Sequence, residues 1–252
     1  MGPEFCFFQR LPNCTRIPVC KTILKTQRQF EIAPKKHRVF LVEDHPVTRQ
    51  GFALLLNLEA DLMVCGRAAT ADKALMEIES SKPDLVIVDI ALPGRDGLVL
   101  IKDIATFHPR LPTLVLSTLD EAVYAERAIR AGAKGYIMKQ EPVEQLLLAV
   151  HQVLAGDVYL SEAMRSQLFQ NSISGPSKSG TSSVDQLSDR ELEVFRLIGE
   201  GVGTRQIAKQ LGLSVSTVET HRTHIKDKIG AKRAPDLVRQ AVEWLHDQKL
   251  KL

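Results

Sequence analysis

Cysteine is scarce and scattered in this chain: Cys6, Cys14, Cys20 and Cys65 are the four among 252 residues, and no two form a Cys-x-x-Cys pair. That spacing supports neither a zinc site nor a disulfide framework, and it fits a reducing, cytoplasmic location. Aromatic residues make up 5% of the chain, with a single tryptophan. No apolar run approaches the roughly 20 residues that a membrane-spanning helix needs, so no membrane partner is expected. A strong excess of one charge is also missing, since the formal net charge is +3. What remains is ordinary globular composition, 44% hydrophobic and 25% charged. The length suits two modest domains, each able to bury its own core.

The small net charge hides an uneven distribution. Residues 1–38 carry eight basic and two acidic side chains, residues 39–160 carry eleven and seventeen, and residues 203–239 carry eight and three. An acidic middle and a basic end point to different partners, a polyanion being favoured by the second. The first 37 residues show no sustained period and no signal-peptide layout, because Arg10, Arg16, Lys21, Lys25 and Arg28 interrupt every apolar stretch. They are expected to be a disordered leader, and Met1-Gly2-Pro3-Glu4-Phe5 has the look of a cloning remnant.

From Arg38 onward, short apolar runs at Val39–Val42, Met63–Ala68, Leu85–Val88, Leu114–Leu116 and Gly135–Met138 alternate with helix-period segments near 46–59, 71–80, 97–107, 120–131 and 142–155. Pro46, Asp72 and Pro142 are helix-start residues. Three of the strands are apolar almost throughout, as expected when helices cover both faces of a parallel sheet. The pattern predicts a doubly wound α/β unit of five βα repeats over residues 38–160. In such folds ligands sit outside the carboxyl ends of the strands, which gathers Glu43, Asp44, Asp89, Ser117 and Lys139 at one edge. Three crowded carboxylates repel unless a hard cation neutralises them, and Mg2+ suits such a site. A carboxylate there can attack a phosphoryl group, with the metal and Lys139 offsetting the charge of the acyl phosphate.

Taken singly, each of these residues reads more simply as a helix cap or a solvated charge. Together, Val42-Glu43-Asp44-His45-Pro46, Asp89-Ile-Ala-Leu-Pro93-Gly-Arg-Asp96-Gly97, Leu116-Ser117 and Gly135-Tyr136-Ile137-Met138-Lys139 resemble the receiver domain of two-component response regulators. The resemblance implies Asp89 as phosphoacceptor, Glu43 and Asp44 as acidic metal ligands joined by the Ala91 carbonyl, and Lys139 as the cation that meets the phosphate. It also implies Ser117 and Tyr136 as switch residues and a sensor histidine kinase as phosphodonor. Gln140 stands where many receivers have proline, a departure that touches the loop after the fifth strand and removes no chemical group.

A Ser/Gly/Lys/Pro-rich stretch from Asn171 to Ser183 lies within an expected linker, 161–183. An all-helical domain of four helices follows over 184–252. Ser188-Asp-Arg-Glu191 is a capping box, Thr204 and Ser214 start the second and third helices, Pro235 opens a fourth, and Gly212-Leu213-Ser214 forms the short turn between the second and third. This segment resembles the LuxR/FixJ-type helix-turn-helix. Val215, Val218, Ile225 and Ile229 fall on one side of the third helix, leaving Ser216, Glu219, Thr220, Thr223 and Asp227 on the other. Thr220, Thr223 and Glu219 are placed to read base edges in double-stranded DNA, and Thr204, Thr217, Arg222, Lys226 and Lys228 to meet phosphates. The combined expectation is a NarL/FixJ-type response regulator, not an enzyme, whose phosphorylation at Asp89 alters homodimerisation and DNA binding. A phosphohydrolase on the same fold would want a second acid or base two residues past the nucleophile, where this sequence has Ala91. A constitutive DNA-binding protein using its α/β half as a scaffold would differ in taking no phosphate from acetyl phosphate.

Overall fold

The chain's computed structural model describes residues 36–166 and 183–250. The expected leader up to residue 35 and most of the expected linker, 167–182, lie outside the described residues. Five parallel strands, β1 (His37–Val42), β2 (Leu62–Ala68), β3 (Leu85–Val88), β4 (Thr113–Ser117) and β5 (Gly135–Met138), form one sheet in the order 2-1-3-4-5. Alternation along the strands divides the core in two. Val39, Leu41, Leu85, Ile87, Leu114, Leu116 and Ile137 pack toward α1 (Pro46–Leu58) and α5 (Val143–Leu154). Phe40, Val42, Val86, Val88, Val115 and Tyr136 pack toward α2 (Ala71–Ser81), α3 (Gly97–Phe107) and α4 (Glu121–Ala131). β3 and the inner stretches of β1 and β4 are apolar because neither face meets water there, whereas edge strand β2 carries exposed Arg67; each fully buried Leu, Ile, Val or Phe contributes about 1.5–3 kcal/mol.

Helix starts are written locally. Pro46 sits at the beginning of α1, while the side chains of Thr70, Asp96 and Asp120 accept backbone N–H groups at the starts of α2, α3 and α4. Thr70 is thus the cap of α2, and Asp72 lies in its first turn. Gly97 is required by close approach: a Cβ there would stand 2.2 Å from the Asp89 carbonyl oxygen, so the helix can start against the end of β3 only with glycine. Beyond α5, the Tyr159 backbone pairs with Lys134 and Tyr136 along the outer edge of β5. Residues 162–166 are helical, with Met164 buried.

After a 3-10 turn, Ser183–Gln186, the second half consists of α6 (Asp189–Gly199), α7 (Thr204–Leu211), α8 (Val215–Ile229) and α9 (Ala234–Leu250). The Ser188/Glu191 capping box is formed in both directions. Gly212 ends α7 at φ 62, a left-handed conformation that costs glycine nothing and turns the chain into α8. Leu192, Phe195, Ile198, Ile207, Val218, Ile225 and Leu237 close the core. Backbone contact joins the two halves: the Gly94 N–H donates to the Gln210 carbonyl at 3.1 Å.

Candidate functional site

The sheet delivers its acidic groups to one edge. Glu43 continues β1, its N–H donating to the Ala68 carbonyl, and Asp89 follows β3, its N–H donating to the Val42 carbonyl. Glu43 and Asp89 are buried, as is Ser117 at the end of β4. Lys139, just past β5, reaches across: its Nζ lies 2.5 Å from Glu43 Oε2 and 2.7 Å from Asp89 Oδ2. One ammonium therefore touches two buried carboxylates, which is how a low-dielectric site tolerates them. Burial pulls the Lys139 pKa down, but the attraction of Asp89 and Glu43 outweighs it and holds the ammonium above its ordinary value.

Asp44 stands apart from that bridge. Its Oδ1 is buried without a hydrogen bond, although the ring Nδ1 of exposed His45 approaches it to 2.7 Å at an angle that makes none. Glu43, Asp44 and His45 each place a ligand atom within 4.8 Å of the others. A buried carboxylate oxygen without a donor, beside other oxygen ligands, fits a hard divalent cation. Asp89 is held through both oxygens, Oδ2 by Lys139 and Oδ1 by the Ala91 N–H at 3.2 Å. His45 entered the sequence reading only as a member of the Val42–Pro46 motif, because a histidine before a helix-start proline gives no metal signal of its own.

Ser117 and Tyr136 converge on one residue. Ser117 Oγ accepts from the Leu119 N–H at 3.3 Å, and the Tyr136 hydroxyl donates to the Leu119 carbonyl at 2.7 Å. Tyr136 is fully buried, and that burial pushes its phenol well above its ordinary range. The loop between β4 and α4 is thus held from both sides by residues that border the Asp89 pocket.

On α8, Ser216, Glu219, Thr220 and Thr223 are exposed on one arc, while Val218, Ile225 and Ile229 are buried opposite. Val215 departs from the expected apolar side: it is 45% exposed, whereas Val218 in the same turn is fully buried, because by the helical period Val215 falls at the edge of the stripe that Val218, Ile225 and Ile229 define. The Thr220 and Thr223 hydroxyls donate to the carbonyls of Ser216 and Glu219. Their outward faces therefore offer a methyl group and an acceptor lone pair. Thr217 turns toward Ser214, its Oγ1 at 2.7 Å from the cap hydroxyl. Thr204, first residue of α7, is half-buried, and Lys226 is half-buried on α8. Lys228 has its Nζ 2.5 Å from Oε2 of buried Glu191, and Arg222 approaches Glu219 at 3.8 Å. The Lys228 to Glu191 bridge was not legible in advance, since it joins residues 37 apart in sequence.

A 2-1-3-4-5 sheet with an acidic pocket at its carboxyl edge, followed by a helix-turn-helix, defines the class of receiver proteins with a nucleic-acid-binding output. Residues 39–151 match the response regulator receiver domain, and residues 185–241 match the bacterial regulatory proteins of the luxR family. The oxygen regulatory protein NreC of Staphylococcus aureus is 37% identical over 210 residues, covering 82% of this chain and 97% of NreC. A LuxR-family response regulator from Aurantimonas sp. SI85-9A1 shares 27% identity at a TM-score of 0.52, covering 55% of this chain and 99% of that one. RcsB of Salmonella enterica, solved bound to promoter rprA with phosphomimetic BeF3-, has the same fold at a TM-score of 0.59 and 24% identity, covering 81% of this chain and 98% of that one. The chain belongs to the two-component response regulators that join a receiver domain to a LuxR-type helix-turn-helix. Its family regulates transcription and is not a family of enzymes. No helix among the described residues is long and apolar enough to cross a membrane.

Proposed function

We propose that Asp89 accepts a phosphoryl group from a sensor histidine kinase and that this event controls homodimerisation and sequence-specific binding of double-stranded DNA by α8. Residues 38–160 act as the receiver, 161–183 as the connection, and 184–252 as the DNA-binding domain, all in the cytoplasm. The observation that carries the reading is the lysine bridge, with Lys139 Nζ 2.7 Å from the carboxylate that would be modified. In the transfer, an Asp89 oxygen attacks phosphorus and the P–N bond to the donor imidazole breaks, its electron pair staying on nitrogen. When bound, Mg2+ neutralises charge on the phosphoryl oxygens, and the residues that would hold it are Glu43, Asp44, Asp89 and the Ala91 carbonyl.

The chain's own residues do the rest. Phosphorylation makes one Asp89 oxygen the bridge of the acyl phosphate and moves the negative charge onto the phosphoryl oxygens, so the Lys139 ammonium follows that charge. A Ser117 hydroxyl drawn to the same phosphate leaves the Leu119 N–H, loosening the loop that Tyr136 grips at the Leu119 carbonyl. On α8, Thr220, Thr223, Glu219 and Ser216 face base edges, and Lys226, Thr204, Thr217, Arg222 and Lys228 serve the backbone. Treatment with acetyl phosphate and Mg2+, read by intact mass, tests the reading. Wild type should be labelled and Asp89→Asn should not; equal labelling of the two removes the proposed acceptor.

A further inference from the structure

The surface between α3, α4 and α6 places opposite electrostatic demands side by side. On one flank Asp189, at the start of α6, receives Lys102 Nζ at 2.7 Å and Arg127 at 3.1 Å, and Arg127 also donates to the Leu187 carbonyl at 2.8 Å. That flank is a clamp of two cations on one carboxylate. On the other flank Asp96, the cap of α3, and Glu193 of α6 are both buried, 5% and 9% exposed, and Arg190 ties Glu193 to the Gly94 carbonyl two residues before Asp96. The residues facing Asp96 are Glu193, Asp189 and Arg190 from α6 and Tyr124 from α4, with the Leu98 N–H on its own helix. Arg190 and Arg196 face Glu193.

Charge does not balance on this second flank. Arg190 lies 2.5 Å from Glu193 Oε2 and spends its other nitrogen on the carbonyls of Leu211, at 2.6 Å, and Gly94, at 3.2 Å. Arg196 is paired with Glu200. The Tyr124 hydroxyl is buried beside them with no hydrogen-bond partner. Two buried carboxylates that repel each other hold a proton on one of them more readily than they both ionise.

We propose that the Asp96 and Glu193 carboxyls make this seam a proton-operated latch, closed while the pair holds a proton and driven apart when both groups are charged. Burial, followed by repulsion from Glu193, pushes Asp96 up to about 7, and burial also raises Glu193. Glu193 and Asp189, both from the second half, add to that rise, so the Asp96 contribution to docking is complete below the ordinary aspartate range and is lost as pH rises through about 7. Asp189, held below its ordinary value because Lys102 and Arg127 outweigh its burial, stays charged across that interval. The latch is set by pH alone and needs no phosphate on Asp89. It gives the regulator a second input, cytoplasmic proton concentration, acting on the joint between receiver and output.

The test uses the full chain with no phosphodonor. The Gly94 amide, which donates across the seam to Gln210, reports docking through its hydrogen-exchange protection factor, with small-angle scattering as the check on shape. Between about pH 5.5 and about pH 8.5, wild-type protection should fall by about tenfold or more, since each pH unit between the docked and free pKa is a factor of ten. Asp96→Asn keeps the helix cap and removes the charge, and it should remain compact and protected at both pH values. Glu193→Gln should do the same, which guards against a folding defect in the first variant. Wild type that stays equally protected at both pH values, or both variants opening as wild type does, overturns the latch.

Discussion

At the scale of the residue, the Asp89 pocket turns on one ammonium. Lys139 is 10% exposed and bridges Glu43 and Asp89, so Lys139→Ala leaves two buried carboxylates without their common partner. Removing one side of a buried ion pair costs about 3–5 kcal/mol where nothing replaces it. A divalent cation can replace it here, because Asp44 Oδ1 is already without a hydrogen bond and Lys139 is not a metal ligand. Lys139→Ala should therefore retain metal binding, and Mg2+ should raise its melting temperature more than that of wild type. The same variant should take up phosphate yet fail to dimerise on phosphorylation; unchanged phosphorylation-driven dimerisation by light scattering would leave Lys139 no coupling role. These residues were legible in the sequence because strand ends are located by short apolar runs, and five runs in parallel bring their polar followers to one edge. Asp44's unpartnered oxygen and the joint grip of Ser117 and Tyr136 on Leu119 were not, since both depend on side-chain directions that no spacing encodes.

At the scale of the element, the proposed DNA reading gives α8 separate faces for base edges and for support. Thr220 and Thr223 donate backward to their own helix, so what they present to a groove is a methyl and an acceptor. Replacing either with Ala should lower discrimination between operator and random DNA by up to about 1–3 kcal/mol. Lys226→Ala should weaken both DNAs alike and reduce the salt slope by about 1. Fluorescence anisotropy across a salt series separates the cases, and the reading face is misassigned if Lys226→Ala alone relaxes sequence preference. Lys228, proposed for the phosphate side, is also tied to the scaffold through Glu191. Burial pulls the Glu191 carboxyl up, but Lys228 and Ser188 outweigh it and hold it below its ordinary value. A depressed carboxylate pKa stabilises the fold above the ordinary glutamate range and loses that contribution as pH falls through the folded pKa. Lys228→Ala should thus cost stability at about pH 7 and progressively less at acid pH, as protonation of Glu191 removes the charge that Lys228 pairs with. Thermal melts at neutral and acid pH check this, and an equal loss at both would mean the bridge contributes only packing. The helical period revealed the buried stripe of α8 but misplaced Val215, which stands at the edge of that stripe, where periodicity alone cannot tell burial from exposure.

At the scale of the whole molecule, the joint between the halves is where local reading of the sequence stops. Asp96, Lys102, Arg127, Asp189 and Glu193 each look like a cap or a solvated charge, and the ion pairs among them span 62 to 87 residues. Yet the joint sits close to the chemistry, since the loop that leaves Asp89 carries Gly94, whose N–H and carbonyl both bond to the second half. The reading arc of α8 is exposed while the halves are joined, so docking restrains where that arc can go without covering it. If the Asp189 clamp supplies the attraction, Arg127→Ala should separate the halves more than Lys102→Ala. Arg127 is the more buried of the two and also holds the Leu187 carbonyl, whereas Lys102 is 52% exposed and screened by water. Salt should weaken the Lys102 contribution first. The depressed Asp189 pKa makes docking fall away at acid pH, through the range below about 4, opposite in sign to the loss through about 7 at Asp96. Docking followed through Gly94 protection should accordingly rise and then fall with pH. Arg127→Ala should remove the acid limb, and Asp96→Asn the alkaline limb. If Arg127→Ala instead leaves Gly94 as protected as in wild type at every pH and salt concentration, the attraction lies elsewhere, and the apolar contacts between the halves must hold them without the clamp.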